Sequence, residues 1–194
     1  LKIVTHHWGA NWNKGFKIYQ KIDNLLNDEF WKKRIDFTYI GNLPNKFKFF
    51  NTNHIEPISG TDLSDELKKN HIYITGSINE PSGNHHIEGA QCGLPVMYID
   101  SGGVKEYCKD FGIEYSEDDI EEKLKFVLEN YDTYSNKIKN YPFNSEQMCN
   151  DFMNLFNEML RNKKSILEDR KPLDYGVFER SVYKFKKYLK SLPR

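Results

Sequence analysis

Short apolar runs alternate with longer amphipathic stretches along the first 160 residues. Lys2-Ile3-Val4-Thr5 is a compact, largely β-branched run and reads as a buried strand. Further strands are predicted at 36–40, near 52–55, and at 71–75, 95–99 and 112–115. Between them, apolar residues recur at helical spacing. Phe16, Tyr19, Ile22, Leu25 and Leu26 form one stripe in a helix predicted over 14–34. Other helices are expected over 62–69, capped by Thr61 or Asp62, and over 84–92, 104–111, 118–130 and 145–160. Strand and helix in alternation imply a parallel sheet covered on both faces. The expected fold is α/β: a doubly wound, Rossmann-like sheet of about six parallel strands, followed by a helical tail. Ligands bind beyond the carboxyl ends of the strands in such sheets. The loops after Thr5, Ile40, Thr75 and Ile99 are therefore where chemistry is expected.

The pattern changes near Lys164. Residues 161–194 hold 11 Lys or Arg against 4 Asp or Glu, and Pro172 and Gly176 precede a last helical stripe of Phe178, Val182, Phe185 and Leu189. The division is drawn between a domain at 1–164 and a basic helical extension at 165–194. Arg180, Lys184, Lys186, Lys187 and Lys190 occupy the other faces of that helix, so contact with an anionic membrane surface is one reading. The preferred reading is docking of the apolar stripe on protein, with the lysines in water.

Composition narrows the class. Hydrophobic residues make up 38% and charged residues 29%, enough for a packed core. Twenty-eight basic side chains balance 28 acidic ones, which gives no general argument for a nucleic-acid partner. Cys92, Cys108 and Cys149 show neither paired nor metal-type spacing, so a reducing, cytoplasmic setting is expected. No apolar run is long enough to span a bilayer. The chain opens on a strand rather than on Met, which reads as a start inside a longer protein.

The chemistry concentrates in Asn79-Glu80-Pro81-Ser82-Gly83-Asn84-His85-His86-Ile87-Glu88. This stretch follows a strand and opens a helix. Ser82 reads as the cap, and Gly83 allows close approach of a ligand to the backbone. The amides of Gly83, Asn84 and His85 at a helix start suit an anion such as a diphosphate. Glu80 and Glu88 flank that seat, and carboxylates accept hydrogen bonds from hydroxyls. Each acid alone reads equally as a solvated surface group; together with the turn they suit a nucleotide sugar. His85-His86 lacks a metal-ligand spacing, and no metal site is expected. His6-His7-Trp8 reads either as the packed end of a strand or as a ligand contact. Lys14, beside a helix start, is electrostatically poor for the helix and suits a bound anion.

Glu80-x(7)-Glu88, then Gly93-Leu94-Pro95-Val96, then Ser101-Gly102-Gly103-Val104-Lys105-Glu106, with Lys14-Gly15-Phe16 after the first strand, resembles the retaining GT-B glycosyltransferases of group 1 (family 4-like) that carry the Glu-x(7)-Glu motif. The resemblance covers roughly residues 1–160 and implies the C-terminal, donor-binding half of such an enzyme. It implies that Glu80 faces the transferred sugar at the reacting centre and that Glu88 holds the ribose. Lys14 and the amides of Gly83 to His85, with Ser82 and Asn84 around them, would neutralise the leaving diphosphate without a metal or other cofactor. The donor would be a nucleoside-diphosphate sugar, and transfer to a glycan, lipid or protein acceptor would retain configuration, the acceptor being held by an N-terminal domain absent from this chain. The family's Arg a few residues before the Lys has no counterpart here, and His7 or Asn11 would have to stand in. Two other functions fit the same fold: a donor-binding module or pseudoenzyme without turnover, and a nucleotide-sugar epimerase. The spacing of the two acids argues against the epimerase.

Overall fold

The computed structural model describes residues 1–170 and 180–186. Two compact units are present, Leu1–Gln147 and Met148–Arg194. The first contains a six-stranded sheet. Its strands are β1 (Lys2–His7), β2 (Asp36–Gly41), β3 (Asn53–Ile55), β4 (Ile72–Thr75), β5 (Val96–Tyr98) and β6 (Gly112–Glu114). They lie in the order β3-β2-β1-β4-β5-β6, and every pairing is parallel. The connecting helices are α1 (Phe16–Leu25), α2 (Glu29–Lys32), α3 (Gly60–Leu67), α4 (His85–Gln91), α5 (Val104–Cys108) and α6 (Ile120–Lys137). The expected doubly wound, Rossmann-like arrangement is therefore present. Strand order reverses between β1 and β4, which opens a crevice at their carboxyl ends.

Alternation along the strands explains the two-sided core. Ile3, Ile72, Ile74 and Met97 face one way and pack with Phe16, Tyr19 and Ile22 of α1 and with Leu124 and Val127 of α6. Val4, Tyr73, Val96 and Tyr98 face the other way, against Leu67 of α3, Ala90 of α4 and Val104 and Cys108 of α5. Strands covered on both faces carry almost no polar positions, and all four residues of β4 are buried.

Several boundaries differ from the sequence pattern, each for a local reason. The single helix expected over 14–34 is two. Asp28 stops it by taking an extended backbone and accepting from Phe30 N at 2.7 Å, which caps α2. Helix α3 starts at Gly60 after Ser59, not at Thr61 or Asp62. Strand β1 continues through His7, beyond the apolar run. Helix α4 begins at His85 with Asn84 at its cap position, so Ser82 is not the cap. The loop before it is held elsewhere: Gly103 N donates to the Glu80 carbonyl at 2.9 Å, and Asn79 N donates to Ser101 Oγ at 2.7 Å.

Helices α7 (Ser145–Arg161) and α8 (Lys163–Asp169) follow one another, all but the first three residues of α7 belonging to the second unit. Helix α7 buries none of its residues: Phe152, Phe156, Met159 and Leu160 all stand exposed. Within the tail stripe, Val182 is half-buried and Phe185 exposed, while Phe178 and Leu189 lie outside the described residues, as do Lys187 and Lys190. Among the described residues, no helix is long and apolar enough to cross a membrane.

One buried acid fastens the first core. Asp23 of α1 is 2% exposed and accepts from the amides of Phe50, Asn51 and Thr52 and from the Thr52 hydroxyl, at 2.7–3.2 Å. Burial pushes its carboxyl up, but the bonds from Thr52, Asn51 and Phe50 outweigh this and hold it below its ordinary value of 3.8. A depressed carboxylate stabilises the fold above its unfolded value and loses that effect as pH falls through the folded one. Asp23→Ala is expected to cost about 1.5–3 kcal/mol at pH 7 in urea unfolding. The gap between variant and parent should close as the pH is taken below 3.8.

Candidate functional site

The crevice is lined from below by the ends of β1 and β4. Two turns, 12–15 after β1 and 76–84 after β4, close over it. Lys14 ends a 3-10 turn (Trp12–Lys14), and Gly15 takes φ +100° to pass into α1. A side chain at Gly15 would put Cβ 2.7 Å from the Gly76 backbone, so the two turns touch only because residue 15 is glycine. Ile78 N donates to the Asn13 carbonyl at 2.7 Å and ties them further. A third turn joins at Gly102, whose φ of +66° and contact with the Glu80 carbonyl exclude a side chain. The Lys-Gly and Gly-Gly elements of the sequence thus act as contacts between three loops of one site.

The expected site residues distribute as follows. Lys14 Nζ donates to Glu80 Oε2 at 2.5 Å, with the side chains 27% and 13% exposed. Gly83 is buried, and a Cβ there would meet Glu80 Cγ and the His85 ring at under 3 Å. Ser82 and Asn84 are exposed beside it. Glu88, one turn into α4, has its side chain half exposed and accepts from His6 Nε2 at 2.7 Å. The bond from His6 holds its carboxyl below the ordinary range against the opposing effect of burial. Helix α4 has seven residues, about two turns, so its dipole is small and a bound anion would rely more on Lys14.

A deck of histidines beneath these groups was only half legible. His6 and His7 end β1 and point to opposite faces. His7 joins Thr5 on the α1 side, where its Nε2 lies 2.7 Å from the Tyr19 hydroxyl. His6 joins Val4 on the α4 side, next to Tyr73. His85 Nε2 lies 2.8 Å from Thr75 Oγ1, and its ring centroid is 4.5 Å from that of His7. Burial, then neighbouring positive groups, depress His7 and His85 well below 6.5. His7 is therefore held neutral at pH 7. Asn11 remains exposed at the mouth. Strand alternation was the available signal: continued past Thr5, it assigns His6 to the face of α4 and His7 to the face of α1. Among the described residues, no group of three or more His, Cys, Asp or Glu is arranged to hold a metal.

Residues 48–142 match the model of the family described as glycosyl transferases group 1. The gpi3 subunit of phosphatidylinositol N-acetylglucosaminyltransferase from Schizosaccharomyces pombe is 33% identical over 87 residues, 43% of this chain and 19% of that protein. The chain thus spans about a fifth of the curated relative it matches. Sucrose-phosphate synthase from Thermosynechococcus elongatus superposes with a TM-score of 0.60 at 14% identity, over 82% of this chain and 46% of that one. The C-terminal domain of a group 1 glycosyl transferase from Francisella tularensis superposes with a TM-score of 0.57 at 15% identity, over 72% and 80% of the two chains. The fold is that of one Rossmann-like half of a GT-B glycosyltransferase.

His86 supplies a test of the packing under the site. Its ring is fully buried, and neither nitrogen has a partner. Burial lowers it to about 4, although Glu80 and Glu88 pull the other way. The unfolded chain takes up this proton below about 6.5 and the folded chain only near 4, so the fold loses stability as pH falls through that window. Thermal midpoints are expected to drop between pH 7 and pH 5, and His86→Met should flatten that dependence while preserving the fold at pH 7.

Proposed function

We propose that this chain is the donor-binding half of a retaining glycosyltransferase, which takes a nucleoside-diphosphate sugar and delivers the sugar to an acceptor held by another domain. The observation that carries the reading is the meeting of Lys14, Glu80, Gly83 and Glu88 at the β1–β4 crevice. That crevice is where such sheets bind ligands. The match of residues 48–142 to group 1 glycosyl transferases supports the reaction class.

Each residue then has a defined task. Glu88 accepts from the ribose hydroxyls, having free lone pairs on both oxygens beside the bond from His6. Lys14 and the amides at Gly83, Asn84 and His85 hold the diphosphate, with Ser82 at the rim. Charge that develops on the leaving diphosphate is met by the Lys14 ammonium, so no metal is needed for this step. The neutral floor of His7 and His85 keeps the lysine as the local cation. Glu80, paired with Lys14 before the donor arrives, faces the sugar and the reacting centre once the lysine turns to phosphate. Departure and attack on one face of the sugar then retain configuration. The free thiols of Cys92, Cys108 and Cys149 support a cytoplasmic setting.

Calorimetry with UDP, GDP and ADP and their hexose conjugates, in the presence of chelator, checks the reading. Binding is expected without divalent metal, and strict dependence on Mg²⁺ or Mn²⁺ counts against it. Glu88→Ala should weaken sugar-free diphosphate by about 1.5–3 kcal/mol, roughly ten- to a hundredfold. Glu80→Ala should leave the sugar-free diphosphate nearly unchanged and remove the extra affinity contributed by the sugar. Equal behaviour of the two variants on the sugar-free ligand defeats the division of roles.

A further inference from the structure

Glu88 stands on a two-turn helix with half its side chain in water, yet it is held in one place. The hold comes from the strand that α4 covers. His6 ends β1 and is 7% exposed. Its Nε2 lies 2.7 Å from Glu88 Oε2, and its Nδ1 lies 3.1 Å from the hydroxyl of fully buried Tyr73. Tyr73 is itself fixed: the His6 backbone N–H donates to its hydroxyl at 3.3 Å, and its ring packs edge-on to the imidazole at 5.6 Å. Gly89 presses its backbone on the same ring, so the tyrosine also sets the height of α4.

Protonation follows from the partners. An ionised carboxylate only accepts, so the bond to Glu88 requires the proton on Nε2. In the neutral ring Nδ1 then accepts from Tyr73. A donor on one side, an acceptor on the other and a packed ring leave the imidazole no second orientation. Glu88 Oε2 is anchored, and the half-exposed side chain leaves lone pairs available to a ligand.

We propose that His6 is the positioning residue of the donor site: it pre-orders Glu88 for the two vicinal hydroxyls of a ribose and so sets selection of ribonucleoside over 2′-deoxyribonucleoside diphosphates. This rests on the donor-binding reading of the crevice. Free glutamate loses rotamer freedom on engaging a ligand; here that freedom is already gone before binding. Immobilising one such side chain corresponds to about two- to tenfold in affinity. The effect falls only on ligands that use Glu88, which separates positioning from a general role in folding.

The test uses the 194-residue chain with UDP, GDP and ADP and the matching 2′-deoxy diphosphates. His6→Phe keeps a ring in the space and removes the donor; His6→Gln keeps an N–H within reach of Glu88. If melting shows that His6→Phe does not fold, His6→Ala is read in its place. The expected result is about two- to tenfold weaker ribonucleotide binding in His6→Phe, little change for the deoxy ligand, and recovery in His6→Gln. Carbon NMR on Glu88 gives a ligand-free readout: its carboxyl should titrate closer to the ordinary value in His6→Phe. Wild-type binding with undiminished ribose selection in His6→Phe overturns the role of His6 and leaves the donor reading intact. Failure of the wild type to bind any diphosphate overturns both.

Discussion

The site depends on one close contact: the backbone of Gly15 against that of Gly76, with no side chain between them. Parallel strands β1 and β4 lie side by side, but the chain leaves them toward opposite faces of the sheet, into α1 and α4. Their exit turns therefore converge at one point only, the switch in strand order. Because residue 15 is glycine in a left-handed conformation, the turns close to contact and bring Lys14 to Glu80. Gly102 and Gly103 bring a third turn onto the Glu80–Pro81 backbone in the same way. The glycines of the sequence motifs are thus terms in a packing problem whose solution is the placement of two acids and one lysine.

Below that contact the protein places polar groups where an α/β sheet usually holds aliphatic ones. Thr5, His6, His7, Thr75, Ser77, His85 and His86 are all buried. Most are satisfied by partners far away in sequence: Tyr19 for His7, Thr75 for His85, Tyr73 and Glu88 for His6. These bonds fix the orientation of the satisfied members, whereas Ser77 Oγ and both ring nitrogens of His86 are buried without a partner. Neutral imidazoles at His7 and His85 leave Lys14 and the two glutamates as the charged groups of the crevice. Cavities elsewhere differ in kind. A space of about 460 Å³ at the amino ends of the strands, between Lys2, Asp36, Asn51 and Lys69, mixes charges without a focus and lies at the end of the sheet opposite to the crevice.

Much of this was legible in the chain. The continuous apolar runs Ile3-Val4 and Ile72-Tyr73-Ile74 predict strands buried on both faces, and the helical stripe from Phe16 to Leu26 predicts a helix covering one of them. Element types set by the local apolar pattern were read well. Positions set by distant partners were not. His6-His7-Trp8 could be read as the packed end of a strand, but which partners hold each ring could not, because Tyr73, Glu88 and Tyr19 lie elsewhere in the sequence. Ser82 has the right chemistry for a cap, but the strap from Gly103 to the Glu80 carbonyl delays the helix to His85. Asp28 showed the opposite case: a local cap residue that stops a continuous apolar stripe from being one helix.

Amide hydrogen exchange on the chain with and without UDP-, GDP- and ADP-linked hexoses tests directly whether a nucleotide sugar sits in the β1–β4 crevice. With the conjugate that binds, slowed exchange is expected in two separate segments, 12–16 and 76–89, joined in space by the Gly15–Gly76 contact, the Ile78–Asn13 bond and the Lys14–Glu80 pair. Protection centred instead on the amino-end cavity around Lys2, Asp36 and Asn70, or no protection with any of the three, would contradict the account.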